Sequence, residues 1–160
     1  MFGMKKLFGA YLDVVSELRS HGRGIGLMRL KAARNGSLCH INPYHIFAVM
    51  PHREGRNDAE RYCHEPKTDI VLSATSIVVS EDIGYIVKTC RSLYGIPLVQ
   101  LYVADMTGKE YYLNARKAIT VFPDFDRADR CCVRTGKFHV ICDEDAVKCA
   151  MRLNDAILKK

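Results

Sequence analysis

The chain has 160 residues, of which 48% are hydrophobic and 26% charged, and its formal net charge is +6. The apolar fraction is enough for the buried core of one ordinary domain or two small ones, and it excludes an intrinsically disordered chain. Its seven cysteines are odd in number, include no Cys-x-x-Cys pair and follow no export signal. A secreted disulfide scaffold is therefore excluded, and we expect a reducing, cytoplasmic compartment.

Residues 1–26 are predicted to form an amphipathic helix and a Gly-rich linker. Leu7, Tyr11, Val14 and Leu18 recur at helical spacing over about four turns, and the pattern ends at His21-Gly22. The stretch is shorter than the ~20 apolar residues of a membrane span and contains acids that a cleavable signal tolerates poorly. We expect its apolar stripe to pack on the body of the protein or on a second copy in a homodimer, with a membrane surface as the alternative.

An internal repeat organises the rest of the chain into residues 27–94 and 95–160. One set of residues returns after 72 positions: Gly36, Asn42, Val49 and Pro51 become Gly108, Asn114, Val121 and Pro123. A second set returns after 63 positions: Ile70, Val78, Glu81 and Asp82 become Val133, Ile141, Glu144 and Asp145. The difference of nine residues falls between Pro51 and Ile70, and it predicts an inserted, structureless surface loop over residues 52–66.

Each copy is predicted to contain a strand, a Gly turn, a second strand, a third strand ended by proline, a hairpin and a closing helix. Acidic segments, Ser80-Glu81-Asp82 and Asp143-Glu144-Asp145, precede the two helices and can cap them, and Gly95 ends the first. The sequence therefore predicts an α+β fold. It consists of an N-terminal amphipathic helix and two β-rich repeats of about five short antiparallel strands, each closed by a C-terminal helix, in a pseudo-two-fold arrangement.

Turn and capping residues of the first copy carry a family resemblance. The segments are Asn35-Gly36-x5-Asn42-Pro43, Thr68-Asp69-Ile70-Val71-Leu72 and Val78-Val79-Ser80-Glu81. They resemble the small flagellar FlbD-like proteins, whose sequences show a turn Gly, an Asn-Pro after the second strand, a Thr-x-Ile-x-Leu strand and a Val-x-Glu before a helix. The second copy is similar to a degenerate version, with Gly108 and Asn114 kept and Ala115 in place of the proline. The resemblance implies a β-rich fold and carries no catalytic residue.

No group of residues has the spacing of a catalytic or metal site. Six Cys and His residues cluster within 26 positions: Cys39, His40, His45, His52, Cys63 and His64. The spacing is not that of zinc ligands, because Cys39/His40 and Cys63/His64 are adjacent residues that a strand would point to opposite faces. Cys131-Cys132 lies on a predicted strand, with one thiol expected in the core and the other in solvent. Gly22 to Gly26 follows a helix, the wrong order for a phosphate loop. We expect no metal, cofactor or catalytic residue.

Basic residues are the strongest candidates for a site. Residues 1–35 hold seven Lys and Arg against two acids, and guanidinium groups match phosphate geometry. The candidate ligand-binding residues come from the N-terminal segment (Arg23, Arg29, Lys31 and Arg34), the inserted loop (Arg53, Arg56, Arg61 and Tyr62) and the second copy (Arg127, Arg130, Arg134 and Lys137). Acidic residues are interleaved with them, so a solvated mixed-charge face is the alternative.

The sequence predicts a non-enzymatic binding protein for an anionic ligand, either nucleic acid or a phosphorylated nucleotide. The alternative is a protein-interaction inhibitor or regulator, such as a phage or mobile element encodes against a host protein. Strong salt dependence of binding favours the first function, and a co-purifying host protein favours the second.

Overall fold

The computed structural model describes residues 26–106 and 109–159, which form ten β-strands, three α-helices and two 3₁₀ turns. The strands are β1 (Met28–Lys31), β2 (Leu38–Ile41), β3 (Ile46–Pro51), β4 (Thr68–Leu72), β5 (Ser76–Val79), β6 (Leu98–Gln100), β7 (Tyr112–Asn114), β8 (Ala118–Pro123), β9 (Cys131–Thr135) and β10 (His139–Cys142). The helices are α1 (Asp58–Arg61), α2 (Ile83–Tyr94) and α3 (Ala146–Leu158), and the 3₁₀ turns are Pro43–His45 and Ala115–Lys117. None of the helices in these ranges is long and apolar enough to cross a membrane.

The strands form three antiparallel sheets. The central sheet has five strands in the order β5-β4-β3-β7-β6, and two smaller sheets have the orders β10-β9-β8 and β1-β2. Isolated bridges from Ala32 to Val79 and from Val103 to Cys142 connect the smaller sheets to their neighbours.

The predicted arrangement of two β-rich repeats is wrong, because the central sheet takes strands from both copies. Hairpin β6–β7 of the second copy pairs with β3 of the first, through Ala48 with Leu113 and Val49 with Tyr112. This pairing satisfies the backbone of β3 on the side away from β4, where a buried strand would otherwise leave polar groups without partners. The predicted N-terminal helix, and the homodimer through it, lie outside the described residues.

The two copies share short structural features rather than a common sheet. Asn42 and Asn114 each cap a 3₁₀ turn, with the side-chain oxygen accepting a hydrogen bond from the backbone amide two residues later at 3.1 Å. Each turn leads into a strand with an irregularity near its start, then a hairpin and a helix. Gly36 has the left-handed φ of 68° that its turn requires, while its counterpart Gly108 lies outside the described residues.

Both faces of the central sheet are buried. The first core, under α2, contains Ile46, Val49 and Ile86, and the second, under α3, contains Ala48, Leu113 and Leu153. Successive strand residues point to opposite faces, so β3 supplies Ala48 to one core and Val49 to the other. Packing on both faces leaves the turns, the inserted loop and the outer faces of the helices as the surfaces available for a site.

Candidate anion-binding site

The inserted loop, residues 52–66, is fastened to the turn between β1 and β2. The backbone amide of Cys63 donates to the Arg34 carbonyl at 3.2 Å, and that of His64 donates to the Ala33 carbonyl at 3.1 Å. The His64 ring lies against Gly36, where an added Cβ would stand 1.9 Å from its Nε2 atom. The loop is therefore not structureless as predicted, since these contacts hold its return segment and residues 58–61 form α1.

Fastening the loop in this way brings together candidate residues that are distant in sequence. Arg34, Glu60, Arg61 and Tyr62 line a concavity of about 430 Å³, which we call the Arg34–Arg61 concavity. Both arginines are exposed, and neither guanidinium makes a hydrogen bond or an ion pair within the described ranges. The concavity thus combines two unpaired cations with the half-buried aromatic ring of Tyr62.

A partly buried histidine contacts α1 and β4. His52 Nδ1 lies 2.6 Å from Asp69 Oδ1, and His52 Nε2 lies 3.1 Å from Asp58 Oδ2. The Gly55 amide also donates to Asp58 Oδ2 at 2.8 Å, and the Tyr62 ring packs at 78° to the His52 ring with centroids 5.3 Å apart. His52 therefore connects the end of β3, strand β4 and α1, and we call this arrangement the His52 clasp.

The two carboxylates beside His52 change the pKa of its ring. Burial lowers the pKa of His52, but the hydrogen bonds and charges of Asp69 and Asp58 outweigh burial and raise it overall. The Gly55 amide, together with His52, lowers the pKa of the Asp58 carboxyl. Each ring nitrogen faces a carboxylate oxygen, an arrangement that favours the doubly protonated imidazolium over the neutral ring.

The other first-copy candidates lie outside the concavity. Arg53 and Arg56 are exposed on the same loop, and no hydrogen bond or ion pair to either side chain occurs within the described residues. Arg29 is exposed on β1 opposite His40. Lys31 is half-buried, and its backbone amide donates to Glu81 Oε1 at 2.7 Å. Arg23 lies outside the described residues.

The candidate basic side chains of the second copy make other contacts. Arg127 pairs with Asp129 at 2.5 Å, and Arg130 pairs with Asp143 at 2.6 Å. Arg134 lies 6.0 Å from the centroid of the Phe122 ring. The Lys137 ammonium donates to the Leu72 carbonyl at 2.5 Å. None of these four residues lines the Arg34–Arg61 concavity.

Sequence reasoning missed two arginines at the edge of the central sheet. Arg91 donates through two nitrogens to the Leu98 carbonyl at 2.9 and 2.5 Å, and Arg152 donates to the Gln100 carbonyl. Both border a groove of about 680 Å³ between α2 and α3. They cover the outward carbonyls of edge strand β6 and so protect it from pairing with another chain. No sequence signal identifies them, because the edge position of β6 follows only from the sheet order.

The cysteines and histidines that suggested zinc do not converge. Within residues 26–106 and 109–159, no three His, Cys, Asp or Glu side chains could hold a metal ion. The Cys39 thiol donates to the Leu30 carbonyl at 3.4 Å, and His45 Nδ1 lies 2.7 Å from Ser73 Oγ.

The expectation of one solvent-facing thiol at Cys131-Cys132 is wrong. Both thiols are buried, and burial raises the pKa of Cys131.

Comparison of the chain with protein-family models, with curated proteins and with solved structures finds no match. The resemblance to FlbD-like proteins remains a prediction from the sequence.

Proposed function

We propose that the protein is a non-enzymatic binding protein for a phosphate-bearing anion, which it binds at the Arg34–Arg61 concavity. One observation carries the proposal: two exposed guanidinium groups from separate parts of the chain line one concavity, and neither makes a hydrogen bond or ion pair with the part of the chain that the structure describes. Guanidinium groups bind phosphate oxygens bidentately, and an adjacent aromatic ring offers a base a surface for stacking.

The charges around the concavity support an anionic ligand. Asp58, the acid on the first position of α1, is engaged by His52 and Gly55. Among the described residues, Glu60 is the one acid that lines the concavity, against the two arginines. Arg53 and Arg56 are exposed on the same loop, as are Glu54 and Glu65. The two arginines and Glu60 give the lining of the concavity a net charge of +1, which favours an anion.

Nucleic acid and a phosphorylated nucleotide make different demands on these arginines. A nucleotide bound in the concavity depends on Arg34 and Arg61 alone. A nucleic-acid strand carries further phosphates and also depends on Arg53 and Arg56. We favour a nucleic-acid strand, because the additional exposed arginines lie on the same loop. We place this binding in the cytoplasm, which the seven free thiols support.

Titration with a labelled single-stranded oligonucleotide at several salt concentrations tests the proposal. We expect the Arg34→Ala/Arg61→Ala variant to bind more weakly, and the slope of log affinity against log salt to fall by about 0.7 for each phosphate that the variant no longer neutralises. Arg127→Ala/Arg130→Ala is the matched control, because it removes the same charge from residues that already have carboxylate partners. Equal decreases in affinity in the two variants would indicate a net-charge effect and contradict a site at the concavity.

A second candidate function rests on exposed apolar residues of α3. Val147, Met151 and Leu158 are 68%, 60% and 67% exposed, and their spacing puts them on one side of the helix. We propose, as the alternative to anion binding, a regulator that binds a host protein through this face. Capture of a defined partner by the wild type and by Arg34→Ala/Arg61→Ala, with no capture by Met151→Lys, would favour this alternative.

A further inference from the structure

The His52 clasp joins α1 to the body of the protein through the side chain of Asp58. Helix α1 contains no buried residue, and residues 53–57 are exposed, so apolar packing contributes little to its position. The clasp connects Asp58 of α1 to Asp69 of β4 through a side chain that is only 9% exposed. Without the clasp, α1 is held by its chain connections and by the backbone bonds at Cys63 and His64.

The clasp is complete in one protonation state only. An imidazolium donates from both nitrogens, one bond to Asp69 and one to Asp58. A neutral ring has one N–H, so one of its nitrogens would present a lone pair to a carboxylate oxygen. The neutral ring therefore exchanges a charge-assisted hydrogen bond for repulsion. Because both nitrogens are engaged, His52 is also unavailable as a general base toward a substrate.

The groups that face His52 come from each packed element. Strand β4 contributes Asp69, α1 contributes Asp58, and the residue after α1 contributes the Tyr62 ring. Arg61 acts on the clasp indirectly, through its charge on Asp58. The backbone of His52 donates to the Lys67 carbonyl at 2.9 Å. Both charged groups in direct contact with the ring are therefore anionic, and both favour its protonated form.

We propose that His52 is a pH-sensitive latch: its protonated ring holds α1 against strand β4, and deprotonation releases α1 and displaces Arg61 from the Arg34–Arg61 concavity, while the backbone bonds at Cys63 and His64 persist. A weakening of anion binding as the pH rises follows only if the proposed function is right. The latch itself does not depend on that function.

The first measurement is an NMR titration of the ring proton on His52 Cε1 in the wild-type protein. The latch requires His52 to titrate above the ordinary value of about 6.5, and it requires the Gly55 amide and the Tyr62 ring to shift with the same midpoint. Titration of His52 at or below the ordinary value, or loop signals that do not follow it, would overturn the proposal. Because this measurement uses the wild-type protein, it tests the latch even if a substitution prevents folding.

The second measurement is tryptic cleavage, because Arg53, Arg56 and Arg61 place trypsin sites in the loop. We compare wild type, His52→Gln and His45→Gln at about pH 6 and about pH 9, dividing each rate by that of an unfolded peptide at the same pH. His45 is the matched control, since it precedes β3 and contacts the neutral Ser73 hydroxyl. Loop cleavage should rise several-fold with pH in wild type and in His45→Gln, and should be fast at both pH values in His52→Gln. The same pH ratio in wild type and His52→Gln would refute the latch.

Oligonucleotide affinity, measured in the same variants, separates the latch from the proposed function. His64 lies against Gly36 in the β1–β2 turn, so His64→Gln is introduced into every protein to leave His52 as the one histidine of the inserted loop. Loop release with pH, without any effect of Arg34→Ala/Arg61→Ala on affinity, supports the latch and rejects the function. An affinity that depends on the two arginines, in a loop whose cleavage is the same at both pH values, supports the function and rejects the latch.

Discussion

Asn114 connects the two copies across the central sheet, and its replacement tests that arrangement. Its side chain is buried, Nδ2 donates to the Ile46 carbonyl at 2.9 Å, and Oδ1 caps the following 3₁₀ turn. Asn42 makes the equivalent cap in the first copy but is exposed. Substitution by Asp keeps the capping oxygen and removes the donor, so it isolates the bond to Ile46.

The expected cost of Asn114→Asp follows from the removal of that bond. A buried carbonyl left without its donor costs about 1–3 kcal/mol, and a carboxylate oxygen placed against it adds repulsion. We expect a decrease of about 3 kcal/mol in the free energy of unfolding, which corresponds to a decrease in Tm of about 6–12 °C for a chain of this size. Asn42→Asp should change the free energy of unfolding by less than about 0.5 kcal/mol, because the cap survives and no buried donor is removed.

Urea denaturation monitored by circular dichroism measures both variants. The prediction concerns the difference between them, so a general effect of adding a negative charge cancels. Equal stabilities for Asn114→Asp and Asn42→Asp would show that the side chain at position 114 does not donate to β3, and would contradict the pairing of β7 with β3.

Three further predictions concern the turns, the thiols and the clasp. Gly95→Ala should cost about 1 kcal/mol, because Gly95 has a φ of 62° and open space at its Cβ position, whereas Gly36→Ala should cost more in the same urea assay, since it must also displace His64. In the native protein, Cys63 should react fastest with a thiol reagent, because it is the one exposed cysteine, and the half-buried Cys39 should follow; fast modification of any of the five buried thiols before unfolding would contradict their burial. The folded-state pKa of His52 lies above its unfolded value, so its stabilising contribution is fully present below about pH 6.5 and is lost as the pH rises through the folded-state pKa. The stability difference between wild type and His52→Gln should therefore shrink with rising pH, and a difference that grows would reverse the assigned sign.

Features that depend on neighbouring residues could be predicted from the sequence. The Gly36 turn, the C-terminal end of α2 at Gly95 and the recurrence of Asn42 as Asn114 all follow from turn and cap chemistry within a few positions. The pairing of β7 with β3 could not be predicted, because it joins segments more than 60 residues apart and no local pattern specifies it.

At the candidate site, residue types could also be predicted from the sequence, whereas contacts between distant residues could not. Arg34, Arg61 and Tyr62 could be identified as candidates by residue type, but the backbone bond from Cys63 to Arg34 was needed to place them together. The sequence could not show that Arg130 is neutralised by Asp143 across the β9–β10 hairpin. His52 carried no signal beyond being a histidine, because its two carboxylate partners lie six and 17 residues away.

NMR mapping of oligonucleotide binding tests the central claim most directly. A single-stranded oligonucleotide is titrated into isotope-labelled protein at low salt, and the amide shifts are followed. The Arg34–Arg61 concavity predicts that the largest shift changes fall in residues 34–36 and 58–64, that they disappear in Arg34→Ala/Arg61→Ala, and that they persist in Arg127→Ala/Arg130→Ala. Shift changes centred on Val147 and Met151 of α3, or none at all, would contradict anion binding at this concavity.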